Sequence, residues 1–339
     1  PVSEACRGVL TTLAKLGLDV GTRDLAGFRT ALSGLHVSEY VDRVFAAANL
    51  DRVVMTNDPF DPVEREYWLR RDPAARDPRF LAALRIDPLL LSWRQVTSQL
   101  AEWGYQVSPD GSRLDAQTTG EVRRFLADWI ERLQPVYLAV SLPPEFAYPD
   151  HSGPEQTIRT RLIEEAVLPV AREHGLPFAL MIGVKRQVNP ALRVAGDGVG
   201  KASVTSVERL CAGFPDVKFM VTMLSRENQH ELGVAARKFR NLMPFGCWWF
   251  LNNPSLITEI TRMRLELLGT SFIPQHSDAR VLDQVIYKWM HSRAIIGEVL
   301  SNQYELLLQT GWQPMTAEVE RDVAALLGGN FWDFIGRRP

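Results

Sequence analysis

The chain has 339 residues, 46% of them hydrophobic and 23% charged, with a formal net charge of -2 at pH 7. That length buries a substantial core in one large domain or two ordinary ones, and the composition excludes a disordered tail, a collagen-like repeat and a disulfide scaffold. The near-neutral balance argues against nucleic acid or a membrane surface as partner, because binders of polyanions carry a basic excess.

The first fifty residues read as helical. Val2 to Leu16 carries apolar residues at helical spacing, Gly17 can end the run, and Val37 to Ala48 repeats the pattern. From there short β-branched or aromatic runs alternate with longer amphipathic stretches. The runs are Arg52 to Thr56, Leu81 to Ile86, Val136 to Leu142, Phe178 to Gly183, Lys218 to Leu224, Met243 to Trp248, and Ser271 to Pro274. We expect seven strands from them. Helical stretches are predicted at 92–103, 117–133, 155–174, 203–213, 227–240, 254–268 and 279–300.

Runs that are apolar throughout are buried on both faces and belong to a parallel sheet. A doubly wound sheet offers a Gly-rich first turn, but no G-x-G-x-x-G follows a strand. Gly196-Asp197-Gly198-Val199-Gly200 lies in a loop with the wrong spacing. The expectation is therefore an α/β fold, a (β/α)8 barrel of the TIM type, which closes with eight strands. Seven are counted and the chain starts at Pro1 with no initiator Met, so the first strand is expected to precede residue 1. In this reading 1–50 is a helical insertion packed on the barrel, 51–339 supplies strands 2–8 and the C-terminal helices, and the whole is one structural domain.

Cys6, Cys211 and Cys247 are far apart and form no C-x-x-C, which suits a reducing cytoplasm. No apolar run approaches the ~20 residues of a bilayer span and no signal sequence is visible, so a cytoplasmic protein with no membrane partner is expected.

In a barrel the loops after the strands build the active site. The last run is followed by His276-Ser277-Asp278-Ala279-Arg280. A carboxylate there can ligate a cation or move a proton, and the Arg can hold an anion. Equally, Asp278 could cap the following helix, with Arg280 on its exposed face. Arg85-Ile86-Asp87 offers either a bidentate clamp for a substrate carboxylate, with Asp87 orienting Arg85, or an internal ion pair. Arg186 and Arg226 have the same two readings, with structural roles favoured. Of the adjacent Trp248 and Trp249, strand alternation lets one face a pocket and sends the other to the core. The histidines form no H-x-H and no H-E-x-x-H, so these residues alone leave a metal site incomplete. No G-x-S-x-G, P-loop or kinase motif is present.

Several strand ends together resemble the uronate isomerase family of the amidohydrolase superfamily. The residues that carry the resemblance are Val53-Val54-Met55-Thr56-Asn57-Asp58-Pro59, Leu84-Arg85-Ile86-Asp87-Pro88, Leu224-Ser225-Arg226-Glu227-Asn228, Cys247-Trp248-Trp249-Phe250 and Ser277-Asp278-Ala279-Arg280. The helical preface also resembles the family's insertion ahead of its second strand. The resemblance implies a divalent metal, usually zinc, held by an H-x-H on the first strand and an aspartate that Asp278 matches. The H-x-H is absent here, as are a His and a Tyr that the family draws from the same region, and an N-terminal piece of several tens of residues is expected to be missing.

The resemblance further implies that Arg85 clamps the substrate carboxylate. Arg280 would sit beside the metal aspartate on substrate oxygens, and Trp248 and Trp249 would wall the pocket. Arg337, with Arg338 an equal candidate, would reach the sugar acid. Asp278 and Arg280 would be the catalytic pair. The implied reaction is aldose-ketose isomerisation of D-glucuronate to D-fructuronate, and of D-galacturonate to D-tagaturonate, through a cis-enediolate. Hydrolases of the superfamily commonly add histidines after strands five and six. Here those ends are Gly183-Val184-Lys185 and Leu224-Ser225-Arg226, which favours an isomerase. Two rivals remain: a metal-dependent hydrolase of a sugar-acid lactone or ester, and a non-catalytic sugar-acid-binding protein. A homo-oligomer is compatible with the tryptophan-rich sequence.

Overall fold

The computed structural model describes residues 2–70 and 76–337. They fall into two compact units, one joining the residues up to Asp51 with Phe245–Leu327, the other joining Arg52–Pro244 with the chain from Gly328 onward.

The second unit is built on a parallel sheet. Its strands are β1 (Val53–Asn57), β2 (Phe80–Arg85), β3 (Leu138–Leu142), β4 (Phe178–Ile182), β7 (Phe219–Met223) and β8 (Leu242–Pro244), with the short pair β5 (Val184–Lys185) and β6 (Gly198–Val199) between β4 and β7. The sheet order is β1-β2-β3-β4-β7-β8, all parallel, while β5 and β6 pair antiparallel on their own. Each strand lies beside the next large one in sequence. That is barrel wiring, since a doubly wound sheet reverses direction at a switch point.

β3 and β7 are buried at every position. Leu138, Phe178, Leu180, Phe219 and Val221 are inaccessible, and Phe125 and Leu126 of the helix Ala116–Leu133 join the same core. Apolar residues on both strand faces are what helices packed on a parallel sheet require. Asp115 caps that helix, its carboxylate accepting from Thr118 N at 2.9 Å.

The single helix expected over 155–174 is interrupted. Pro154–Leu162 runs into a π-turn, Ile163–Val167, before Leu168–Glu173. Pro169 has no N–H for the carbonyl four residues before it, and the wider turn accommodates the loss.

The first unit holds the helical preface, Glu4–Lys15, Leu25–Ser33 and Val37–Ala48, of which the middle helix was not anticipated. Val44 and Ala48 pack with Val285 and Ile286 of the long helix Gln284–Gln309. Two strand expectations are corrected. The run expected over Met243 to Trp248 pairs only as Leu242–Pro244, and Ser271 to Pro274 supplies one isolated parallel bridge, Phe245 to Ile273. Pro244 and Pro274 cannot donate to a ladder, and Gly246 turns away at φ +69°. Six strands rather than seven thus form the sheet among the described residues. The helix expected from 279 starts at Gln284: residues 280–283 form bends and turns, and Asp278, just ahead of the expected helix, has a left-handed φ of +47°.

The cysteines are free, with Cys211 and Cys247 buried and Cys6 exposed. Among the described residues no helix is long and apolar enough to cross a membrane.

Candidate active site at the strand ends

Arg85 is the last residue of β2, and Asp87 opens the helix Asp87–Leu91 with Pro88 behind it. The Asp87 carboxylate accepts from Arg85 Nε at 2.7 Å and from Arg85 Nη2 through one oxygen. Its other oxygen accepts the Ser141 amide of β3 at 2.8 Å, while Arg85 Nη2 lies 3.3 Å from Ser141 Oγ. Asp87 is buried and the Arg85 side chain is 31% exposed. Burial opposes the guanidinium charge, but Asp87, Asp58 and Glu64 outweigh it and hold Arg85 above its ordinary range. Nη1 makes no hydrogen bond among the described residues. One edge of the fork is anchored and the remainder is available to an anion, a geometry suited to a planar carboxylate.

Beside it, at the end of β1, stands Asp58. Its Oδ1 accepts the Phe60 amide at 2.9 Å, and its own N–H donates to Glu64 Oε2 at 2.9 Å. Burial pushes its carboxyl up to about 6; the Phe60 amide and Arg85 lower it, and Asp87 and Glu64 raise it. The preceding Asn57 is 7% exposed, and its Oδ1 is buried with no hydrogen-bond partner among the described residues. Neither Asp58 nor Ser141 was given a role from sequence. The signal for Asp58 was present, an acid two residues past a predicted strand, but nothing in one dimension put it next to Arg85.

In the first unit, the segment from Gln275 to Asp283 carries the other expected residues. Asp278 is exposed, and its backbone carbonyl accepts Lys288 Nζ at 2.7 Å. The following helix is preceded by Asp283. Asp278 is therefore not its cap, and the structural alternative fails on position. Arg280 is also exposed, its amide donating to Gln284 Oε1 at 2.9 Å. Neither the Asp278 carboxylate nor the Arg280 guanidinium makes a hydrogen bond or ion pair among the described residues.

His276 packs on Phe245 with ring centroids 5.2 Å apart, and burial pushes its imidazole down to about 4, with Asp278 opposing and Lys288 and Arg264 assisting. A Cβ on Gly246 would lie 1.8 Å from His276 Cδ2, so this contact requires glycine. Trp248 is buried, and Trp249, at φ +46°, is half-exposed and stacks on Phe250 with centroids 4.8 Å apart. The division between core and surface follows from the turn Trp249–Leu251 and not from strand alternation, because both tryptophans lie past β8.

Arg337 donates from Nη1 to the Pro135 carbonyl at 3.1 Å, ahead of β3 and therefore at the opposite end of the sheet from Arg85. Arg338 lies outside the described residues. Arg186 pairs with Asp197 at 2.6 Å, which closes the loop between β5 and β6.

A metal of the kind the resemblance implies needs three or four ligands. Among the described residues no three His, Cys, Asp or Glu side chains come together in a way that could hold an ion. His276 Nε2 is buried and without a hydrogen-bond partner among the described residues, and Asp278 lies two positions on. These two groups fall short of a zinc site.

No family model and no curated protein matches the chain. Solved structures do. A uronate isomerase from Bacillus halodurans is 57% identical, with a TM-score of 0.95 over 100% of this chain and 78% of that one. A uronate isomerase from Thermotoga maritima matches at 17% identity and a TM-score of 0.69, over 86% of this chain and 69% of that one. A glucuronate isomerase from Caulobacter crescentus matches at 15% identity and a TM-score of 0.72, over 92% and 70%. The last two bear on the fold, and agree with the TIM-barrel-type wiring of the sheet. At 57% identity over its full length with the first, the chain belongs to the uronate isomerase family of the amidohydrolase superfamily and is an isomerase.

Proposed function

We propose that the chain interconverts D-glucuronate with D-fructuronate, and D-galacturonate with D-tagaturonate. The observation that carries this reading is the Arg85 fork, held by Asp87 and Ser141 on one edge and open on the other. A uronate differs from the parent aldose by the acid at C6, and an anchored guanidinium selects for that acid.

Moving the carbonyl from C1 to C2 requires removal of the C2 proton, stabilisation of a cis-enediolate and return of a proton to C1. In this reading Arg85 takes the acid group by charge-assisted hydrogen bonds. Asp278, whose carboxylate has no partner among the described residues, carries the proton, and Arg280 stabilises the developing oxyanion. Trp249 offers a half-exposed aromatic face to the sugar, and Trp248 supports it from the core. The divalent metal implied by the resemblance, zinc, would take Asp278 as one ligand, but the described residues supply no complete ligand set and no step of this reading depends on it. The free cysteines, two of them buried, fit a cytoplasmic enzyme.

The test is incubation of the intact protein with D-glucuronate and D-galacturonate in deuterated water. The expected result is ketose formation with proton exchange at the carbon that gains hydrogen. Cleavage of a sugar-acid lactone without that exchange would instead establish the hydrolase rival.

A further inference from the structure

The strand ends of β1 and β2 hold three carboxyls and one guanidinium. Asp87 lies on one edge of Arg85, and Glu64, on the helix Pro62–Arg70, takes the amide of Asp58. Asp58 itself uses only Oδ1, on Phe60 N, and its Oδ2 has no partner among the described residues. Asn57 next to it leaves a buried acceptor without a donor among the described residues. A substrate carboxylate arriving at Arg85 would be the fourth acid on a single cation.

We propose that Asp58 is a substrate-binding residue that holds the acid group in its protonated form, so that uronate binding at Arg85 draws one proton from solvent. The inference rests on the reading of Arg85 as the carboxylate clamp. In the bound state an O–H bond forms on Asp58 Oδ2, with the proton supplied by water or buffer. The neutral carboxyl then donates a hydrogen bond to the substrate carboxylate in place of repelling it. On product release the proton returns to solvent and the side chain is again an anion.

The direction of the titration agrees with the charge count. Burial lifts the free carboxyl to about 6, with Asp87 and Glu64 adding to the rise and Arg85 opposing it. At pH 7 Asp58 is then mostly ionised in the free protein, and a second anion at the site raises its affinity for a proton further. Among the described residues the charged groups that act on it are Glu64, from its own loop and helix, and Arg85 and Asp87, from β2 and the helix after it.

The experiment is calorimetric titration of the intact protein with L-gulonate, which keeps the acid end of glucuronate and lacks the reacting carbonyl. It is run at pH 7 in two buffers of different ionisation enthalpy. Uptake of about one proton per site is expected for the native protein and about none for Asp58→Asn, whose amide is a permanently neutral donor. Correspondingly, the native KM for D-glucuronate should rise by up to about tenfold per pH unit above pH 6, and the Asn variant should lose that slope.

No proton uptake by the native protein overturns the proposal without recourse to any variant. Uptake that survives in Asp58→Asn overturns it by assigning the proton elsewhere. Arg85→Lys separates the two readings. If it leaves L-gulonate binding unchanged, the clamp reading fails. If it weakens binding while Asp58→Asn keeps the proton uptake, the clamp stands and the Asp58 proposal fails.

Discussion

Asp87 holds Arg85 from two residues further along the same chain, taking Nε and Nη2 on one carboxylate oxygen while its other oxygen is fixed by the Ser141 amide. The end of β2 and the first turn of the next helix therefore aim a guanidinium whose direction is set by the neighbouring strand.

Asp87→Asn replaces an anion by an amide that cannot accept from Arg85 and Ser141 with charge assistance. Loss of a hydrogen bond to a charged group costs about 1.5–3 kcal/mol. KM for D-glucuronate should rise about tenfold or more, with kcat affected less. Arg85→Lys should raise KM in the same sense, since an ammonium has no planar fork. Steady-state kinetics on both variants checks this, and unchanged KM in both would return the pair to a structural role.

Asp278→Asn should lower kcat by ~10² or more if the carboxylate moves the proton. Its exposure and distance in sequence from the helix cap leave little stability to lose, so the thermal midpoint should stay close to that of the native protein. A loss of activity below tenfold removes Asp278 from the chemistry.

Gly246→Ala places a methyl 1.8 Å from the His276 ring at a backbone φ of +69°. Both the clash and the left-handed conformation oppose it, and a destabilisation of about 3 kcal/mol or more is expected. Denaturant unfolding measures it; an alanine variant as stable as the native protein would show that the His276 ring can move aside at no cost.

Asp58 adds a pH dependence to stability. Its carboxyl stands at about 6 in the folded protein against an ordinary value of 3.8, so between these values the folded state binds more protons than the unfolded one. Stability from this group is complete below its unfolded value and is lost as pH rises through about 6. Asp58→Asn should therefore melt higher than the native protein at pH 7.5, by about 2 °C or more, and show no such gain at pH 4. Equal shifts at both pH values would show that the effect is not protonic.

The wiring of the sheet was readable because five of its six strands are short apolar runs, each followed by polar or turn residues, and β3 and β7 in particular carry no exposed position to confuse the pattern. The failures have local causes. Pro244 ends β8 and Pro274 lies beyond an isolated bridge, because neither can donate the backbone hydrogen bond that would extend a strand that hydropathy reads as continuous. The residues after Asp278 carry a helix-like pattern, but 280–283 form bends and turns and the helix starts only at Gln284. Arg85 and Asp87 were legible as a pair because only one residue separates them. Ser141 and Asp58 were not, since their places beside Arg85 depend on the parallel register, with Arg85 opposite Ala139 and Leu84 opposite Asn57.

The contact between Gly246 and His276 also ties two distant positions into one evolutionary choice. A ring at 276 is tolerated only while 246 lacks a side chain, and a side chain at 246 demands a smaller residue at 276. A side chain placed at 246 while the ring remains passes through a damaged protein, so the histidine binds its partner position to glycine. Related chains that keep a ring at 276 should accordingly keep glycine at 246.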